Sequence, residues 1–123
     1  MYDHVGLRVR DLEASLRFYE AALAPLGHAI GARDDTSAGL GPPDAPALWL
    51  HATPDAKGRG AHVAFRAASR SAVRRFHEAG LGAGGRDNGE AGPRPDYGPT
   101  YYAAFLLDPD GNNVEAVCFA EEK

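Results

Sequence analysis

Cysteine is nearly absent from this chain. Cys118 stands alone, so no intrachain disulfide can form, and its place in an apolar run reads as a small buried hydrophobe in a reducing compartment. Long apolar runs are missing as well. No stretch approaches the roughly 18 residues of a membrane span, and the opening MYDHVGLRVRDLE puts charge where a signal peptide needs its apolar segment, so a cytoplasmic protein is expected. Positive charge is not in excess either. Thirteen Lys and Arg against 17 Asp and Glu leave a formal charge of −4, which provides no basic field for nucleic acid or an anionic membrane and turns the search toward small molecules and protein partners. Local metal signatures of the HxxxH or CxxC kind do not occur, so any metal ligands must be brought together by the fold.

What the chain does have is a repeat. Residues 4–23, HVGLRVRDLEASLRFYEAAL, return 58 positions later as HVAFRAASRSAVRRFHEAGL, with nine of 20 positions identical and no gap. Two copies are too few for a solenoid, so they are expected to pair into one pseudo-symmetric domain over residues 1–123, with a first module at about 1–53 and a second at about 60–120. A pseudo-twofold axis relates His4 to His62 and makes them candidates for one shared site.

Each module reads as βαβββ. From His4 to Arg10 the residues alternate, Val5, Leu7 and Val9 toward a core and His4, Gly6, Arg8 and Arg10 away from it. Asp11 then caps a helix whose apolar stripe is Leu12, Leu16, Tyr19, Leu23 and Leu26, ending near Pro25 and Gly27. Short strands follow at 28–34, 37–40 and 47–51. The stretch 52–60 links the modules. In the second, residues 62–67 repeat the opening strand, and Ser69 or Ser71 caps a helix through Val73, Phe76 and Ala79. The glycines at 80, 82, 84 and 85 end that helix and frame one short strand. Residues 87–99, rich in glycine and proline, read as an ordered loop over a pocket. Strands at 101–107 and 113–119 flank the tight turn Asp108-Pro109-Asp110-Gly111. The fold class is therefore α+β, two paired βαβββ modules forming a cupped mixed sheet with the helices packed outside.

One carboxylate sits where it needs a partner. Glu115 lies midway along an apolar strand, on the face opposite Val114, Ala116 and Cys118, and a buried unpaired charge costs several kcal/mol. His4 and His62 project from equivalent positions, with small Gly6 and Ala64 beside them. Two imidazoles and a carboxylate suit Mn, Fe, Co, Ni or Zn and leave positions open for substrate oxygens. On residue types alone, hydrogen-bonded strand histidines and a Glu115 paired with Arg8 or Arg66 are the simpler account of the pattern.

The pieces DHVGLRVRDLEASLRFYEAAL, HVAF and YYAAFLLDPDGNNVEAV resemble, across the whole chain, the vicinal oxygen chelate superfamily of glyoxalases, bleomycin-resistance proteins and extradiol dioxygenases. The resemblance implies a homodimer whose partner helps complete each cup. It also implies a divalent metal, Zn, Ni, Mn or Fe, on His4, His62 and Glu115. One departure stands out. Where glyoxalase I-like members carry a fourth, acidic ligand, this chain has about Trp49 or Leu50 in ALWLHA, which argues against methylglyoxal–glutathione lyase activity. The fosfomycin-modifying branch expects a basic neighbourhood, and only Arg86 and Arg94 offer one.

The expected activity is that of a metal-dependent lyase or isomerase on a small substrate with vicinal oxygens, an enolate or enediolate being stabilised by the metal. An Fe(II) extradiol-type dioxygenase is the first alternative, and a metal-free small-molecule binding or antibiotic-resistance protein the second. Arg8 and Arg66 are candidates to clamp an anionic substrate group or to pair with nearby acids. Tyr97, Tyr101 and Tyr102 surround the glycine-rich loop as hydrogen-bond donors, acid/base groups or aromatic wall, and only one of Tyr101 and Tyr102 can enter the cup. Trp49 suits stacking on a planar ligand, the core or a dimer interface, and His51 is either a catalytic base or a surface histidine. His28 and His77 read as structural.

Overall fold

The structure, a computed structural model, describes residues 1–120. Strand β1 (Val5–Val9) leads into helix α1 (Leu12–Leu23), which tightens into a 3-10 turn at Ala24–Leu26. Strands β2 (Ala29–Arg33), β3 (Ser37–Gly41) and β4 (Leu48–Ala52) complete the first module. The second repeats the order with β5 (His62–Arg66), α2 (Arg70–Gly82), β6 (Arg86–Pro93), β7 (Tyr102–Leu107) and β8 (Asn113–Cys118). The fold is α+β, with two mixed four-stranded sheets ordered β1-β4-β3-β2 and β5-β8-β7-β6. In each, the first strand runs parallel to the last, and the other pairs are antiparallel.

Local chemistry explains the elements. The Asp11 carboxylate accepts the Ala14 backbone N–H, and the Ser69 hydroxyl accepts that of Ala72, so both helices are capped at the same place in the repeat. Of the stripe read from sequence, Leu12, Leu16, Tyr19 and Leu23 are buried, and Leu26 is half-buried at the exit of the helix. Phe18 and Phe76, again equivalent, are fully buried. The two helices pack on one another, so the apolar sides of both modules merge into one core. Gly80 allows that approach, since a Cβ there would run into Leu106 and stand 3.2 Å from the Phe18 ring. This glycine lies inside α2 rather than ending it.

The stretch 87–99 is not all loop, because residues up to Pro93 belong to β6, paired with β7. Its register slips twice, between Asp87 and Gly89 and again before Gly92, and such bulges erase the alternation by which a strand is read. The remaining turn, 94–101, is closed by the Arg94 N–H donating to the Tyr101 carbonyl at 2.8 Å.

The modules are stapled together by the β7–β8 turn. Asp108, fully buried, accepts the backbone N–H groups of Asp110 and Asn112, the Asn112 amide and, at 2.5 Å, the Tyr19 hydroxyl from α1. Asp110 accepts the Arg10 N–H and the Ser15 hydroxyl and pairs with the Arg10 guanidinium at 3.1 Å. Burial and the adjacent carboxylates of Asp108 and Asp110 raise the Tyr19 phenol well above its ordinary pKa, so it stays a donor. The linker crosses this turn at Gly58, whose φ of 64° favours glycine and where a Cβ would collide with the Asp110 carbonyl.

Candidate metal centre

The face of the second sheet away from α2 is where Glu115 lies. Register puts Ala64 on one side of it and Phe105 on the other. The hairpin turn three residues upstream fixes where β8 begins. Glu115 is 3% exposed, and both of its oxygens are engaged. Oε1 lies 2.9 Å from His62 Nε2, and Oε2 accepts the Tyr101 hydroxyl at 2.6 Å. On the far side of the imidazole, His62 Nδ1 is 3.1 Å from the Asn113 carbonyl, a geometry in which Nδ1–H donates.

That last bond shapes what the pair can do. With the ring proton committed to Asn113, Nε2 turns its lone pair toward Glu115 Oε1, and two lone pairs 2.9 Å apart call for a positive centre, a second ring proton or a metal ion. The spacing suits two neighbouring corners of a coordination shell with bonds of about 2.1 Å. By donor type, His62 and Glu115 suit a divalent ion.

His4 is elsewhere. It precedes β1, its ring is half-exposed, and Nδ1 meets the Asp3 carboxylate at 2.7 Å. Among the described residues no three His, Cys, Asp or Glu side chains gather as a metal group, so a single chain brings together two of the three expected ligands. His4 instead lines a cavity of about 210 Å³ between the modules, beside His28 and an apolar wall that includes Leu23, Leu48, Val63 and Phe65. Among the described residues the buried His28 Nδ1 has no hydrogen-bond partner, and burial lowers its pKa.

The register of the first sheet shows what stands opposite Glu115 in the repeat. Gly6 pairs with Trp49 as Ala64 pairs with Glu115, so Trp49 rather than Leu50 holds the equivalent place. Its ring lies over Gly39, where a Cβ would stand 2.9 Å away. Arg8 and His51 are register partners, both exposed, on the same face of that sheet.

Tyr101 is the tyrosine that reaches the cup. Burial, then the Glu115 hydrogen bond and charge, push its phenol up to about 12, so it holds its proton at any working pH. Its ring meets Tyr97 and Phe119 edge-on at 5.3 Å each, and these two are 65% and 44% exposed. Tyr102 takes the other face, where it is buried, accepts a hydrogen bond from Arg74 and lies under the Arg70 guanidinium. Among the described residues neither Arg8 nor Arg66 pairs with Glu115; the Arg66 guanidinium instead sits 5.2 Å from the Phe119 ring centre. His62 stacks on Phe105 at 6.4 Å, and Arg94 covers that ring from 5.4 Å. Sequence reading missed Phe105 and Phe119 as walls of this site, although their alternation with Glu115 already placed Phe119 on its face.

Comparison with known proteins adds the lineage. A family model of the Glyoxalase/Bleomycin resistance protein/Dioxygenase superfamily matches residues 2–116. A glyoxalase/bleomycin resistance protein from Albidiferax ferrireducens is 31% identical, with 96% of this chain and 98% of that one covered and a TM-score of 0.81. Glyoxalase I from Zea mays is 28% identical over 94% of this chain, which spans 45% of the plant enzyme, at a TM-score of 0.72. A glyoxalase-related enzyme from Fulvimarina pelagi shares the fold at 22% identity and a TM-score of 0.75, covering 93% of this chain and 84% of that one. No curated protein matches.

Proposed function

The chain belongs to the Glyoxalase/Bleomycin resistance protein/Dioxygenase superfamily, and we propose that within it the protein is a metal-dependent lyase or isomerase acting on a small substrate with vicinal oxygens. The observation that carries the reading is the His62–Glu115 pair, an imidazole on β5 and a buried carboxylate on the neighbouring β8, 2.9 Å apart. Their ligand set is completed by His4 of a second copy, since His4 is half-exposed and, within its own chain, stands apart from His62 and Glu115. A homodimer then carries two such centres, each built from the first module of one copy and the second of the other.

When bound, a divalent ion held by these groups supplies Lewis acidity to two neighbouring substrate oxygens. The chain's own residues do the rest. His62 is held in one tautomer by the Asn113 carbonyl, and Glu115 keeps its charge pointed at the same spot. Arg8 and Arg66 offer bidentate donors for an anionic end of the substrate. The exposed rings of Tyr97 and Phe119, with Trp49 from the facing module, give an apolar wall that excludes water. His51, exposed on the same face as Arg8, is placed to carry a proton to or from a substrate carbon. With Trp49 in the place equivalent to Glu115, that position supplies no carboxylate to act as ligand and base.

Metal analysis of protein purified without chelator or nickel resin tests this directly. Wild type should carry close to one divalent ion per chain, and His62→Ala and Glu115→Ala should carry none. Wild type that neither holds nor takes up Mn, Fe, Ni or Zn defeats the proposal and favours a metal-free binding protein, a reading to which the exposed aromatic rings lend weight. Oxygen consumption with a catechol by iron-loaded protein would turn the assignment to ring-cleaving dioxygenase.

A further inference from the structure

Glu115 could satisfy its second oxygen in several ways, and the way it does so is informative. A carboxylate on a β-strand turns about its terminal torsion with little intrinsic preference, so neighbours decide which oxygen faces which group. Here Oε2 is pinned by the Tyr101 hydroxyl at 2.6 Å, and Oε1 is thereby left toward His62 Nε2 at 2.9 Å. The donor is itself fixed. Its backbone closes the 94–101 turn through two hydrogen bonds, Arg94 N–H to the Tyr101 carbonyl at 2.8 Å and Tyr101 N–H to the Gly98 carbonyl at 3.3 Å. Its ring is wedged edge-on between Tyr97 and Phe119. A phenol so held cannot swing out to act on a substrate without abandoning the carboxylate.

We infer that Tyr101 is a positioning residue for the metal centre, acting through Glu115 by holding Oε2 so that Oε1 is presented beside His62. This rests on the metal reading above. It assigns Tyr101 a part different from the acid/base role its residue type suggests, and it gives the Gly- and Pro-rich turn a purpose, to seat one hydroxyl.

The test is Co(II) titration of the full-length protein, followed by the visible absorption of the bound ion and by calorimetry, for wild type, Tyr101→Phe, Glu115→Gln and the double variant. Tyr101→Phe keeps both ring contacts, and its fold is checked by circular dichroism. Outer-shell donors of this kind change metal affinity by about 10–100-fold, so Tyr101→Phe is expected to bind Co(II) at least about tenfold more weakly, with a shifted visible band. Glu115→Gln should bind far more weakly still, and Tyr101→Phe should add nothing further in that background, the signature of a residue acting through Glu115. Unchanged affinity and spectrum in Tyr101→Phe, with Glu115→Gln impaired, overturns the positioning role and leaves the metal centre standing. A further loss of affinity in the double variant also overturns it, since Tyr101 would then act by another route. No Co(II) uptake by wild type removes the metal centre and this inference together.

Discussion

Asp11 and Ser69 stand at the same place in the two halves of the repeat and do the same thing, accepting the N–H of an alanine three residues on. Phe18 and Phe76 are likewise buried to the same extent. One residue later the halves part. Tyr19 reaches through the core to Asp108, whereas His77, its counterpart, meets Asp87 at 2.9 Å near the surface. Across the sheets the divergence is sharper, with Trp49 over a bare glycine in the first module and Glu115 between His62 and Tyr101 in the second. The positions that build the scaffold have stayed alike, and those that face the cup or join the halves have specialised.

The strongest way to break this comparison is on the cup face. Glu115→Ala should abolish metal binding measured by elemental analysis, while Trp49→Ala at the matching position should leave metal content unchanged; equal losses would mean that the centre depends on the indole as much as on the carboxylate. Next in size comes the staple. Asp108→Ala strips the turn of an acceptor for four donors, and unfolding in urea should show a loss of about 3 kcal/mol or more. Tyr19→Phe leaves a buried carboxylate short of one donor and should cost about 1–3 kcal/mol, against under about 1 kcal/mol for His77→Phe. Equal costs at 19 and 77 would erase the asymmetry between the modules.

The smallest effect is one of pH. His28, in the apolar cavity between the modules, aligns with Arg86, which is exposed at the start of β6. Burial lowers the His28 pKa in the folded protein, so the unfolded chain binds the proton more readily. The stability this neutral imidazole contributes is present above its unfolded pKa and is lost as pH falls through the folded value. Melting temperature should therefore decline between about pH 7 and pH 5, and His28→Leu should flatten part of that slope.

Much of this was legible beforehand. Alternation in the opening strands, the Asp11 cap and the face of Glu115 could all be read from neighbours in sequence, because each depends on residues within a few positions. Ser69 rather than Ser71 as the second cap, and Trp49 rather than Leu50 opposite Glu115, needed only the register to settle them. The partners of Asp108 and Asp110 were not readable, since Tyr19, Ser15 and Arg10 lie about ninety residues or more away in the chain and nothing local marks them. Strand β6 was hidden by its bulges. The separation of His4 from His62 and Glu115 has a different cause, for a repeat tells which residues are equivalent without telling which two halves share a cup.

The first module also holds the molecule's single tryptophan, lying over Gly39 on the face that carries Arg8 and His51. An indole at that place is a built-in optical reporter. Its emission colour and its quenching by iodide register whatever covers that face, whether a second copy or a ligand, so each step of assembly can be followed in the unlabelled protein.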